Sequence, residues 1–181
     1  QVQQELGAIV KEKYGDNTKL GDEGGVDIPA QKIEEPLQLL TQAVMQAGHE
    51  GRFRFALDVA ADSFYDRERK TYHVDGNDIT EDELMGIYDH LIATYHLLSI
   101  EDPFYEEAFD TFKKIREKHL EVTIVGDDLT VTNIKRLEQA VVSNSVGALI
   151  IKPNQIGTLT ETLTTMEYAR NHGIECIVSH R

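Results

Sequence analysis

The sequence of 181 residues holds a single cysteine, Cys176, so no disulfide can form within the chain. Cys176 lies inside the apolar run 174–178, where a thiol reads as buried and inert, and the sparing use of cysteine points to a reducing compartment. Positive charge is scarce too: 18 Lys and Arg stand against 32 Asp and Glu, a formal net charge of −14. Such a field repels nucleic acid and anionic membranes, which excludes non-specific binding to either. Any anionic ligand must therefore be met by cations gathered locally. Long apolar runs are also missing: no segment has the length a membrane-spanning helix needs, and the polar, amphipathic start at 1–13 is not built like a secretory leader. These absences predict a soluble, cytoplasmic protein. There is no initiator methionine, and Arg181 follows closely on an apolar run, so both ends are expected to be cuts in a longer chain.

What is present is enough for one globular domain, with 40% hydrophobic residues and no low-complexity tract or linker. Short apolar or β-branched runs recur at 53–59, 97–100, 122–125, 148–151 and 174–178. Helical periodicity fills the intervals at 29–47, 80–95, 105–118, 133–142 and 158–171, and Thr80-Glu81-Asp82-Glu83 forms a capping pattern at the start of the second. Strands joined by helices run parallel, and nearly continuous apolar runs are buried on both faces. The fold class is therefore α/β, with a barrel and a doubly wound sheet both open at this point. The turn-rich stretch 64–79, with Asp75-Gly76-Asn77, reads as a small peripheral hairpin inserted after a strand.

The strand ends are where the chemistry gathers. Asp58, Glu101-Asp102, Asp127-Asp128, Lys152 and His180-Arg181 each close one of the five apolar runs, and Gly21-Asp22-Glu23-Gly24-Gly25 after 18–20 is a sixth candidate. In a parallel fold these ends share one rim, where such folds place their active sites. Any one acid there is more often a helix cap or a solvated side chain; the whole set is not explained that way. Asp58, Glu101 and Asp127 on successive strands would form an all-oxygen site suited to Mg²⁺ or Mn²⁺ rather than zinc. Lys152 ends one of the most apolar runs of the chain, so its amine is expected close to those carboxylates. A lysine is useless as a base at its ordinary pKa of about 10.4, and partial burial with nearby divalent cations is expected to lower it. The structural alternative is an ion pair that merely neutralises the acids.

Six motifs in series resemble the enolase family across nearly the whole chain: Gly21-Asp22-Glu23-Gly24-Gly25, Ala56-Leu57-Asp58-Val59-Ala60, Ser99-Ile100-Glu101-Asp102-Pro103-Phe104, Gly126-Asp127-Asp128-Leu129-Thr130-Val131-Thr132-Asn133, Lys152-Pro153-Asn154-Gln155-Ile156-Gly157-Thr158 and Val178-Ser179-His180-Arg181. The resemblance implies an incomplete (β/α)8 TIM-type barrel of about six βα units over 1–181, with the family's N-terminal α+β domain and last barrel segments absent. It implies Asp58, Glu101 and Asp127 as Mg²⁺ ligands, Lys152 as the base α to a carboxylate, Glu23 as the acid at the leaving hydroxyl, and His180 and Arg181 beside the substrate with Arg181 on its phosphate. A lysine base beside Mg²⁺ is an arrangement already known for enolase-superfamily sites. The implied reaction is the reversible dehydration of 2-phosphoglycerate to phosphoenolpyruvate in glycolysis, by a protein that is dimeric when intact. Because the family's second metal loop and a further lysine have no counterpart here, the isolated chain is expected to be inactive. The alternative expectation is a fragment that acts only as a structural or association unit.

Overall fold

A computed structural model describes residues 1–15, 18–21 and 24–179. The chain opens with helix α1 (Val2–Tyr14), a short antiparallel pair β1 (Lys19–Leu20) and β2 (Val26–Asp27), and helix α2 (Glu35–Gln46). Periodicity predicts α2 from residue 29, but it begins at Glu35 with Pro36 in its first turn. Proline is at home there because its missing N–H would be unpaired in any case, whereas further inside it would break the ladder. Helices α1 and α2 enclose a small core of Ile9, Val10, Leu39 and Ala43.

The strand β3 (Ala56–Asp58) leads through a 3-10 turn (Ala61–Phe64) into β4 (Tyr65–Asp66), β5 (Thr71–Val74) and β6 (Asn77–Ile79). Then follow α3 (Glu81–Tyr95), β7 (Ser99–Glu101), α4 (Phe109–Lys118), β8 (Thr123–Gly126), α5 (Ile134–Ser143), β9 (Ala148–Ile151), α6 (Pro153–Ile156), α7 (Leu159–Asn171) and β10 (Glu175–Val178). The sheet has the order β10-β9-β8-β7-β3, and every pairing in it is parallel. It is open, with β3 and β10 at its edges, as an incomplete (β/α)8 barrel requires. The sixth strand-end candidate does not join it: Lys19–Leu20 pairs antiparallel with Val26–Asp27.

Local signals set the helix starts. Thr80 accepts the Glu83 N–H while Glu83 reaches back to the Thr80 N–H, the reciprocal cap that its spacing predicts. Asn133 caps α5 through the Lys135 and Arg136 N–H groups, and Thr158 caps α7 through that of Glu161.

The insertion at 61–79 is a correction to the sequence expectation. It forms a three-stranded antiparallel sheet, β4-β5-β6, rather than a simple hairpin, and it is not peripheral. Asp75 and Gly76, both at positive φ, make the tight turn, and alternation along β5 then buries Tyr72 and Val74 in the main core. The Tyr105 N–H donates to the Tyr72 hydroxyl at 3.0 Å, and Tyr65 stacks on Tyr105 with centroids 4.5 Å apart.

The two faces of the parallel sheet separate cleanly. Ile100, Ile124, Leu149 and Ile151 point into the main core beneath the helices, while Val125, Ala148 and Ile150 form a distinct cluster on the other face. Side chains alternate along a strand. Leu57, Ile100 and Ile151 pack with the helix-side core, so Asp58, Glu101 and Lys152, each one residue further on, fall on the opposite, inner face. Val125 lies on that inner face, and Asp127, two residues later, returns to it.

Candidate active site

The inner rim at the carboxyl ends of β3, β7, β8 and β9 therefore collects three acids and a lysine from four consecutive strands. Asp58 stands directly across from Glu101 in the β3–β7 register. One carboxylate oxygen each from Glu101, Asp102 and Asp127 lie within 4.8 Å of one another. All are hard oxygen donors, and opposite ligands of an octahedral Mg²⁺ stand roughly 4.2 Å apart, so small side-chain movements would close this set on such an ion. Asp58 is outside that close set and is exposed on its edge strand.

Asp102 is nevertheless differently employed. It is 3% exposed, and its Oδ1 accepts the Asp127 N–H at 3.0 Å while its Oδ2 accepts the Asp128 N–H at 2.7 Å; the Leu129 N–H adds a longer contact at 3.5 Å. It is the inside brace of the turn that carries Asp127. Asp102 itself is held at φ 41, a left-handed conformation that aspartate tolerates better than most residues.

The Lys152 ammonium donates to Asp127 Oδ2 in a short ion pair. Gln155, on the short helix α6, donates its amide to Asp127 Oδ1 at 2.9 Å, so both oxygens of Asp127 are engaged. Thr132, fully buried, accepts the Lys152 backbone N–H at 2.9 Å and donates to Gln155 Oε1 at 2.9 Å. Tight packing supports the turn, because a Cβ on Gly126 would come within 3.1 Å of Thr130 Cγ2 and 3.3 Å of Leu129 Cβ.

Crowding of like charge shapes the electrostatics. Burial first, and then the charges of Asp58, Asp102 and Asp127, push the Glu101 carboxyl up to about 7. Burial likewise raises Asp102 to about 7, against the backbone N–H groups that favour its ionised form. Asp58 is raised mainly by the protein crowded around its carboxyl, an effect that water reaching this exposed side chain reduces. The lowering expected for Lys152 counts on nearby divalent cations, and the protein's own carboxylates act in the other direction. Burial lowers it, but the hydrogen bond it donates to Asp127 and the charges of Asp127, Glu101 and Asp58 outweigh burial, and among the protein's own groups the amine is pushed above its ordinary value. Three carboxylates facing one ammonium favour the charged form.

Glu23, His180 and Arg181 lie outside the described residues. Asp102, Thr132 and Gln155 occur within the motifs quoted above, yet sequence reasoning assigned them no role. The available signal was their position, one to six residues past a charged strand end, in loops that must turn back toward the rim.

The family description "Enolase, C-terminal TIM barrel domain" matches residues 1–181. The chain is 43% identical over 179 residues to an enolase of Methanococcus maripaludis (strain C7), covering 98% of this chain and 42% of that protein. It is 44% identical over 180 residues to an enolase of Methanopyrus kandleri, covering 97% of this chain and 42% of that one. It is 40% identical over 182 residues to an enolase of Sulfurisphaera tokodaii, covering 100% of this chain and 43% of that one. The chain thus spans about two-fifths of the length of the curated relatives it matches. A parallel sheet with acids and a lysine on one rim, matched along its length to a barrel domain, means that this chain belongs to the enolase family.

Proposed function

We propose that the protein carrying this chain is a lyase that reversibly dehydrates 2-phosphoglycerate to phosphoenolpyruvate, with Lys152 as the base at the carbon α to the substrate carboxylate. The observation that carries this reading is the Lys152 amine set against Asp127 beside Glu101, on the inner face where Asp58 also falls. Asp58, Glu101 and Asp127 would hold Mg²⁺, whose charge stabilises the anion that develops on the substrate carboxylate.

The residues of the chain do the rest. Lys152 in its neutral form takes the α proton; the electron pair left on carbon forms the double bond as the β-hydroxyl departs with a proton from Glu23. In the hydration direction the ammonium form of Lys152 returns the proton to carbon. Asp127 orients the amine through its ion pair. Arg181 would grip the phosphate, a planar guanidinium matched to a tetrahedral anion on an otherwise acidic protein, with His180 beside the substrate. The intact protein is proposed to work in the cytoplasm as a homodimer.

Lys152→Ala in the full-length protein tests the assignment. Exchange of the substrate α proton with solvent is expected to stop while Mg²⁺ binding persists. Retained exchange removes Lys152 from this role, and a full-length protein that forms no phosphoenolpyruvate with Mg²⁺ sinks the whole proposal.

A further inference from the structure

Asp127 and Lys152 are joined by more than their ion pair. The Lys152 backbone N–H donates to Thr132 Oγ1 at 2.9 Å; the Thr132 hydroxyl donates to Gln155 Oε1 at 2.9 Å; the Gln155 amide donates to Asp127 Oδ1 at 2.9 Å; and the Lys152 ammonium donates to Asp127 Oδ2. These four links close a ring that begins and ends on Lys152. Donor and acceptor logic gives it a direction. A hydroxyl has one proton, and because Thr132 accepts from Lys152 its proton is free for Gln155 Oε1, with the Ile150 carbonyl a longer alternative at 3.4 Å. With its oxygen so occupied, the Gln155 amide must turn its NH₂ toward Asp127. The Thr132 hydroxyl thus decides which end of Gln155 faces the carboxylate.

The setting is costly enough to need support. Val131 and Thr132 are both β-branched and both lie at positive φ, 42 and 55, a conformation that strains such residues. Thr132 is fully buried, and its carbonyl is held by the Thr165 hydroxyl at 3.0 Å. The loop after β8 is therefore bent, against its local preference, into a conformation in which Thr132 reaches both Lys152 and Gln155.

We propose that Gln155 is a positioning residue, oriented by Thr132, that presets the Asp127 carboxylate for a divalent cation and keeps it in register with Lys152. The inference rests on the functional reading above, but concerns Thr132 and Gln155, to which that reading assigns no role. A partner outside the ligand shell that orients a ligating carboxylate typically changes metal affinity by roughly 10- to 100-fold.

The test is Mg²⁺ titration calorimetry on the substrate-free full-length protein, with thermal unfolding in parallel. Gln155→Leu removes both hydrogen bonds at similar volume. Thr132→Val keeps the β-branched shape but removes the hydroxyl, and Thr132→Ser keeps the hydroxyl. Gln155→Leu and Thr132→Val are each expected to weaken Mg²⁺ binding roughly ten-fold, Thr132→Ser to stay within about two-fold of the parent, and the double variant to be no weaker than Gln155→Leu alone, as residues acting through one path are non-additive. If Gln155→Leu fails to fold, the Val and Ser variants at position 132 decide. Mg²⁺ affinity within two-fold of the parent in Thr132→Val or in a folded Gln155→Leu protein overturns the proposal, as does a strictly additive double variant. A parent that binds no Mg²⁺ would overturn this inference together with the functional reading, which separates the two kinds of failure.

Discussion

Replacing Asp102 by asparagine and by alanine separates its brace role from its charge. Burial holds the Asp102 carboxyl up at about 7, so removing a charge that the site resists is favourable in either variant, and this relief cancels when the two are compared. What differs is the hydrogen bonding and the backbone. Asparagine keeps a side-chain oxygen for the Asp127 N–H, now accepted at 3.0 Å, and loses only the acceptor for Asp128 N–H at 2.7 Å. Alanine loses both, leaving one more buried N–H without a partner, at about 1–3 kcal/mol. Alanine at φ 41 also adds about 1 kcal/mol of left-handed strain that asparagine largely escapes. Asp102→Ala should therefore be less stable than Asp102→Asn by about 2–4 kcal/mol, read from urea unfolding of the full-length protein at neutral pH without metal. Equal stabilities within about 0.5 kcal/mol, or alanine the more stable, would refute the account of Asp102 as the brace of the Asp127 turn.

Gly126→Ala should destabilise by about 1–3 kcal/mol, because the new Cβ meets Thr130 Cγ2 at 3.1 Å, Leu129 Cβ at 3.3 Å and Val146 Cγ1 at 3.4 Å; a thermal melt checks it. Phe104→Ala should cost about 3–5 kcal/mol, since Phe104 is 1% exposed and packs edge-on against Tyr72, Tyr88 and Phe112, and denaturant unfolding would reveal a smaller loss. Glu35, bonded to Lys13 and Tyr14 from α1, is lowered from its ordinary 4.5 to about 2. A depressed carboxyl stabilises fully above 4.5 and loses that contribution as the pH falls toward 2, so the protection of α1 amides, taken relative to their intrinsic exchange rates at each pH, should fall over that interval and should not do so in Glu35→Gln.

Much of this protein could be read from its residues in order. The positions of β7 to β10, the cap at Thr80, and the placing of Asp58, Glu101, Asp127 and Lys152 on one rim all follow from apolar runs, capping residues and the two-residue period of a strand. These are local properties, carried by a few neighbouring side chains. The six motifs carried the family in the same way. What only the tertiary structure decided depends on neighbours distant in sequence. Tyr72 and Val74 are core residues because Phe104 and Tyr105 come to meet them, which no reading of 64–79 alone contains. Asp102 braces rather than simply joining the acids beside it because the turn after β8 presents its N–H groups there. The carboxylates from three other strand ends, Asp127, Glu101 and Asp58, push the Lys152 amine upward against the lowering effect of burial, a balance set by groups distant in sequence. Sequence determined which chemical groups arrive at the rim; packing, through distances between strands, decided which of them touch, and so that Asp102 braces the turn carrying Asp127 while Asp127 meets Lys152.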